Sequence, residues 1–81
     1  MAVEMKIGYP IVLKNPKGLK KYGLTKNMEG FCNSLTSVPG QGDYILFQPA
    51  GVDRFYWIEE DRCEVDEVKL AIMQEDEPSN A

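Results

Sequence analysis

The run Asp43-Tyr-Ile-Leu-Phe-Gln-Pro-Ala-Gly-Val-Asp-Arg-Phe-Tyr-Trp-Ile58 sets two stretches rich in aromatic and branched residues on either side of Gln48-Pro49-Ala50-Gly51. Proline suits the second position of a type I turn and glycine the left-handed position that follows it, so the run reads as a tight β-hairpin. Side chains alternate between the two faces of a strand. Ile45 and Phe47 therefore oppose Tyr44, Leu46 and Gln48, while Phe55 and Trp57 oppose Tyr56 and Ile58. Neither strand alternates apolar with polar residues as a sheet with one wet face does. Both faces need cover, yet a chain of 81 residues builds only one modest core. The surplus apolar face is left for the chain's own loops or for another molecule.

The remaining chain supplies three more strands. Ile11 to Leu13 is a branched run, with Ile11 and Leu13 on one face and Val12 on the other, and Pro10 is tolerated at the strand's first residue. Residues 14–27 make a long first loop, broken by Pro16, Gly18 and Gly23, with a short helical turn at Leu19 to Tyr22. Leu19, Tyr22 and Leu24 are its anchors. Met28 to Val38 has the period of two of a second strand, and Gly30 signals a bulge or a close backbone approach at its start. Pro39-Gly40-Gln41-Gly42 turns the chain into the hairpin. The charged cluster Glu59-Glu60-Asp61-Arg62 ends the fourth strand, because consecutive like charges are costly inside a sheet. Glu64 to Ile72 fits both periods: Val65, Val68 and Ile72 make a helical stripe, whereas Val68, Leu70 and Ile72 alternate as a strand. We expect a turn over 64–67 and a closing strand over 68–72. Inside, the hairpin contributes Ile45 and Phe47, joined by Val12 or Ile11, Leu35 and Leu70.

The expected fold is thus mostly β, a small five-stranded antiparallel barrel with a long first loop. Residues 1–73 form its single domain, and 74–81 a flexible, disordered acidic tail. A hydrophobic content of 43% with 27% charged residues suits a globular chain. No stretch resembles a membrane span or a signal peptide, so a cytoplasmic location is expected. Cys32 and Cys63 have neither CxxC spacing nor a histidine beside them, since the chain has none; they read as reduced thiols, packed or partly exposed, with a disulfide or a redox role as the sharper alternative.

The order of elements resembles the SH3-like small barrels, a group that includes KOW and Tudor-type modules. More narrowly, Asn27-Met28-Glu29-Gly30 and Asp66-Glu67-Val68-Lys69-Leu70 look like the corresponding segments of the variable subunit of ferredoxin–thioredoxin reductase. That is a small SH3-like subunit that supports a separate catalytic subunit. The likeness covers at most residues 27–70, and the first loop here is rich in lysine where that family commonly carries a histidine-containing stretch. It implies a non-catalytic accessory protein and assigns no residue a role.

Catalysis has no support in the residues: no histidine for proton transfer near neutral pH, no nucleophile beside a base, and no glycine-rich phosphate loop before a helix. The acidic run around Glu59 to Glu67 lacks the spacing and central glycine of a calcium loop, so neither metal nor cofactor is expected. The leading reading is a protein-binding accessory or regulatory module. Its partner-binding residues are Tyr44, Leu46, Tyr56 and Ile58 on the hairpin, Lys17, Lys20, Lys21 and Tyr22 on the loop, and Glu59, Glu60 and Asp61 on the charged turn. Tyrosine and other large side chains anchor interfaces at low entropic cost. One alternative is nucleic-acid binding by the basic loop over 14–26, which a pI near 4.7 disfavours. Another is homo-oligomerisation through the surplus face.

Charge is strongly polarised. Residues 1–26 hold six lysines against Glu4, a net +5, and residues 27–81 hold twelve acids against Arg54, Arg62 and Lys69, a net −9. Such polarity either steers a partner or lets the two ends of the chain pair with one another. In so small a domain the second is the simpler expectation.

Overall fold

Pro39 and Gly40 fold the two longest strands against each other. Gln41 N–H donates to the Val38 carbonyl at 2.9 Å, and Gly40 takes φ +79°. That is the proline-second, glycine-third chemistry of a type II turn. In the computed structural model, which describes residues 4–75, this turn joins β2 (Met28–Val38) to β3 (Gly42–Pro49). The other elements are β1 (Pro10–Leu13), β4 (Tyr56–Glu59), β5 (Cys63–Val65) and a helix α1 (Glu67–Glu75). Two 3₁₀ turns, Lys20–Tyr22 and Glu60–Arg62, complete the order.

All five strands lie in one antiparallel sheet in the order β4-β3-β2-β1-β5. The sheet is not closed, since β4 and β5 are its two edges. It is nonetheless far from flat. Only Glu60–Arg62 separates the end of one edge strand from the start of the other, and four Cα steps reach at most about 14 Å. A flat sheet places its first and fifth strands about 19 Å apart. The edges must curl toward each other, and the concave side holds the core.

That core consists of Ile11, Leu13, Leu24, Cys32, Ile45, Phe47, Ile58 and Cys63, with Met5, Leu19, Met28, Tyr56 and Val65 packed against it. Each buried aliphatic or aromatic side chain contributes on the order of 1.5–3 kcal/mol. Leu70 of α1 is also buried, whereas Leu35, expected inside, is 36% exposed. The pairing of β1 with β2 ends at Phe31. Leu35 therefore lies on the part of β2 that has lost one neighbour. Gly30 makes the expected close approach to the Phe47 ring, and the register shift of β2 falls slightly later, between Cys32 and Ser34.

Two expectations about the hairpin are corrected. Val52 N–H donates to the Pro49 carbonyl at 3.1 Å and Gly51 has φ +76°, so Pro49 is the first residue of the turn and Gly51 the third. Pairing of β3 with β4 then begins only at Phe47 opposite Tyr56. The connection runs over 48–55 and the hairpin is not tight.

The closing strand expected over 68–72 is instead α1. The Asp66 carboxylate accepts the Lys69 N–H at 3.0 Å, which is the geometry of a helix N-cap. Asp66 N–H is itself tied to the Pro10 carbonyl at 2.9 Å. The true fifth strand is the shorter Cys63–Val65, paired with Ile11 to Leu13 of β1. Gln74 and Glu75, assigned to the tail, belong to α1, and the rest of that tail lies outside the described residues. Among the described residues no helix is long and apolar enough to cross a membrane.

Candidate functional site

Register decides which hairpin residues are available to a partner. Ile45 stands opposite Ile58 and Leu46 opposite Trp57, and directly opposed residues share a face. Ile58 therefore joins Ile45 and Phe47 in the core at 1% exposure. Tyr56, opposite Phe47, packs against the same core. The expected cluster of Tyr44, Leu46, Tyr56 and Ile58 is split between two faces, and Ile58 is removed from the surface altogether.

The outer face carries Tyr44, Leu46 and Trp57. Tyr44 and Leu46 are half-buried, and Trp57 is 53% exposed. Thr36 opposes Tyr44, and Ser34 opposes Leu46. Thr36, Val38, Gln41, Tyr44 and Trp57 line a shallow concavity of about 350 Å³. At its edge Tyr44 opposes Glu59, and Gln41 also lines a neighbouring groove with Asp43, Glu59, Glu60 and Asp61. The aromatic concavity thus has an acidic rim. Sequence reasoning put Trp57 on the same face as Ile45 and Phe47. The signal that could have freed it is the parity of pairing: an odd-numbered residue of one strand faces an even-numbered residue of the other.

The basic loop packs on the opposite, concave side. Leu24 is buried, Leu19 packs on the core, and the Tyr22 ring lies 6.0 Å from that of Tyr56. Lys17, Lys20 and Lys21 are exposed, and Lys21 Nζ sits 5.2 Å from the centre of the Tyr22 ring, within range of a cation–π contact. Arg62 holds the loop in place. Its guanidinium donates to the Asn15 carbonyl at 3.3 Å and to the Lys17 carbonyl, and its own carbonyl accepts the N–H groups of Lys14 and Asn15 at 2.8 and 3.1 Å. Glu59 accepts from Arg62 Nε at 2.9 Å, which fixes the clamp from the other side.

Among the described residues the two halves of the chain do not neutralise each other by ion pairs. The ion pairs among the described residues are Arg62 with Glu59 and Lys69 with Glu29, both drawn from the acidic half. The Glu29 carboxylate raises the Lys69 pKa above its ordinary value through their hydrogen bond. Lys14 reaches only the neutral Asn27 Oδ1, at 3.3 Å. Among the described residues the expectation of end-to-end pairing is corrected: the lysines of the first loop stay exposed, and an exposed ion pair would be worth little.

Cys32 and Cys63 are free thiols in the core. Burial raises both, and Cys63, raised further by the neighbouring Cys32, is pushed up to about 12. A thiol held neutral in this way is a poor nucleophile and a poor metal ligand. Among the described residues no group of three or more Cys, Asp or Glu side chains is placed to hold a metal ion. The chain matches no family model, and no curated protein or solved structure matches it.

Proposed function

We propose that this protein is a non-catalytic protein-binding module that docks a larger partner on the outer face of the β2–β3–β4 sheet. The observation that supports the reading is Trp57, half in solvent on the edge strand β4, opposite Leu46 and lining with Tyr44 a shallow, acid-rimmed concavity of the outer face. Tryptophan and tyrosine are the residues that most often dominate binding energy at the middle of an interface. The rim of Asp43, Glu59, Glu60 and Asp61 suits a partner whose apolar anchor is flanked by lysine or arginine.

We also read the curled sheet as an SH3-like small barrel. Support comes from the strand order and the three-residue link between its edges. A role as an accessory subunit, like the variable subunit of ferredoxin–thioredoxin reductase, rests on the likeness of Asn27-Met28-Glu29-Gly30 and Asp66-Glu67-Val68-Lys69-Leu70 to that family.

The test is affinity purification from the native host with the wild-type chain and with Trp57→Ser in parallel. A partner retained by the wild type and lost by a variant that melts normally supports the reading. Equal recovery by both chains removes it.

A further inference from the structure

The loop between β1 and β2 holds charge that the fold does not use. Lys17, Lys20 and Lys21 project from a segment whose backbone is tied at several points. Leu19 N–H donates to the Pro16 carbonyl at 2.8 Å, Gly23 N–H to the Lys20 carbonyl at 2.9 Å, and Asn27 N–H to the Leu13 carbonyl at 2.7 Å. Lys17 N–H donates to Asn15 Oδ1 at 3.2 Å, and the Arg62 guanidinium holds the loop from outside. Beside Lys21 stands Tyr22, a large ring left 53% exposed although Tyr56 packs near it. A merely solvated loop needs neither the clamp nor the exposed ring. Fixing the backbone that carries these side chains before binding lowers the entropy that a partner must supply.

We propose that Lys17, Lys20, Lys21 and Tyr22 form a preformed electropositive platform for an acidic protein segment, a run of Asp and Glu side chains. The carboxylates pair with the three ammonium groups, and the segment's aliphatic carbons lie on the Tyr22 ring. A duplex fits less well. Nucleic acid carries a charge every ~1.7 Å of its axis, so a continuous phosphate track running past the platform meets Glu59, Glu60 and Asp61, which adjoin the loop through Arg62. A short acidic segment ends before it reaches them. This surface is separate from the Trp57 face and does not depend on it.

The experiment uses the full chain, isotopically labelled, titrated with a synthetic oligoglutamate peptide at low salt. Control titrations use an oligoglutamine peptide and an oligonucleotide, the latter both as a single strand and as a duplex. Amide shifts confined to the Lys17 to Gly23 segment and Tyr56, seen with oligoglutamate and not with oligoglutamine, are expected. Affinity is expected to drop by about tenfold or more when the Debye length is shortened from roughly 30 to 8 Å. K20E/K21E is expected to lose binding by at least about tenfold while melting normally, K20R/K21R to keep it, and Trp57→Ser to bind as the wild type does. Absence of shifts in that segment, or equal binding by K20E/K21E, overturns the platform. Tighter binding of the oligonucleotide than of the peptide overturns the class of partner. Loss of binding in Trp57→Ser shows the two faces to be one site, which overturns their separation.

Discussion

Phe47 occupies the space that a side chain at Gly30 needs. A Cβ there would fall 2.6 Å from Phe47 Cε1 and against the Gln48 carbonyl oxygen. β2 and β3 approach this closely because position 30 carries only hydrogen, and the ring at the centre of the core is seated by that approach. Gly30→Ala is expected to cost about 1–3 kcal/mol, the usual cost of overpacking. In a domain of this size each kcal/mol lowers Tm by about 4–8 °C. An unchanged melting curve would show that the ring can step aside.

Ile58 and Trp57 are neighbours in sequence and opposites in role. Ile58→Ala is expected to destabilise by about 2–5 kcal/mol, since it opens a cavity beside Ile45 and Phe47. Trp57→Ser should alter stability by less than about 1 kcal/mol and abolish partner capture. Paired chemical melts read both. A larger loss for Trp57→Ser than for Ile58→Ala would mean that the faces are assigned the wrong way round.

The thiol of Cys63 ties stability to alkaline pH. Its ordinary value is 9.0 and the fold pushes it up to about 12. Above pH 9 the unfolded chain releases this proton while the folded chain keeps it, so the unfolded state binds fewer protons and stability falls as pH rises toward 12. Below pH 9 the contribution is complete and level. Cys63→Ala should show a shallower alkaline decline than the wild type in urea melts taken across that window. Subtracting one decline from the other removes every contribution that the two chains share. Parallel declines would show that Cys63 is not held neutral.

Asp66 joins the sheet to the helix. Its backbone N–H is bonded to Pro10 and its carboxylate caps α1 at the Lys69 N–H. Asp66→Ala is expected to cost about 0.5–2 kcal/mol and to fray the first turn of α1, whereas Asp66→Asn keeps an accepting oxygen and most of the stability. Far-UV circular dichroism and amide exchange of Lys69 and Leu70 report the difference. Equal exchange in all three chains would remove the cap from the account.

Much of the fold was legible in the residues because local chemistry speaks for it. Met28 to Val38 reads as a strand from its period alone, and Pro39-Gly40 can do little other than turn the chain. Leu19 to Tyr22 stands out as a helical turn, and Gly30 as a point of close approach. Those conclusions need only propensity and sterics within a few residues. The helix at Glu67–Glu75 was less legible, because Val68, Leu70 and Ile72 satisfy both periods. Asp66 decides it as a cap, and the short strand Cys63–Val65 takes the place beside β1.

The site was legible only in outline. An excess of aromatic side chains on the central ribbon, a lysine-rich loop and an acidic turn are present in composition and order. Which of those side chains faces a partner is a property of register, and register is set across strands by the 48–55 connection and by contacts distant in sequence. One residue of offset exchanges the two faces of a strand, and here both faces are apolar, so no local pattern could choose between them. Tertiary structure buried Ile58, left Trp57 in solvent, and tied the lysine-rich loop to the acidic turn through the Arg62 contacts with the Asn15 and Lys17 carbonyls.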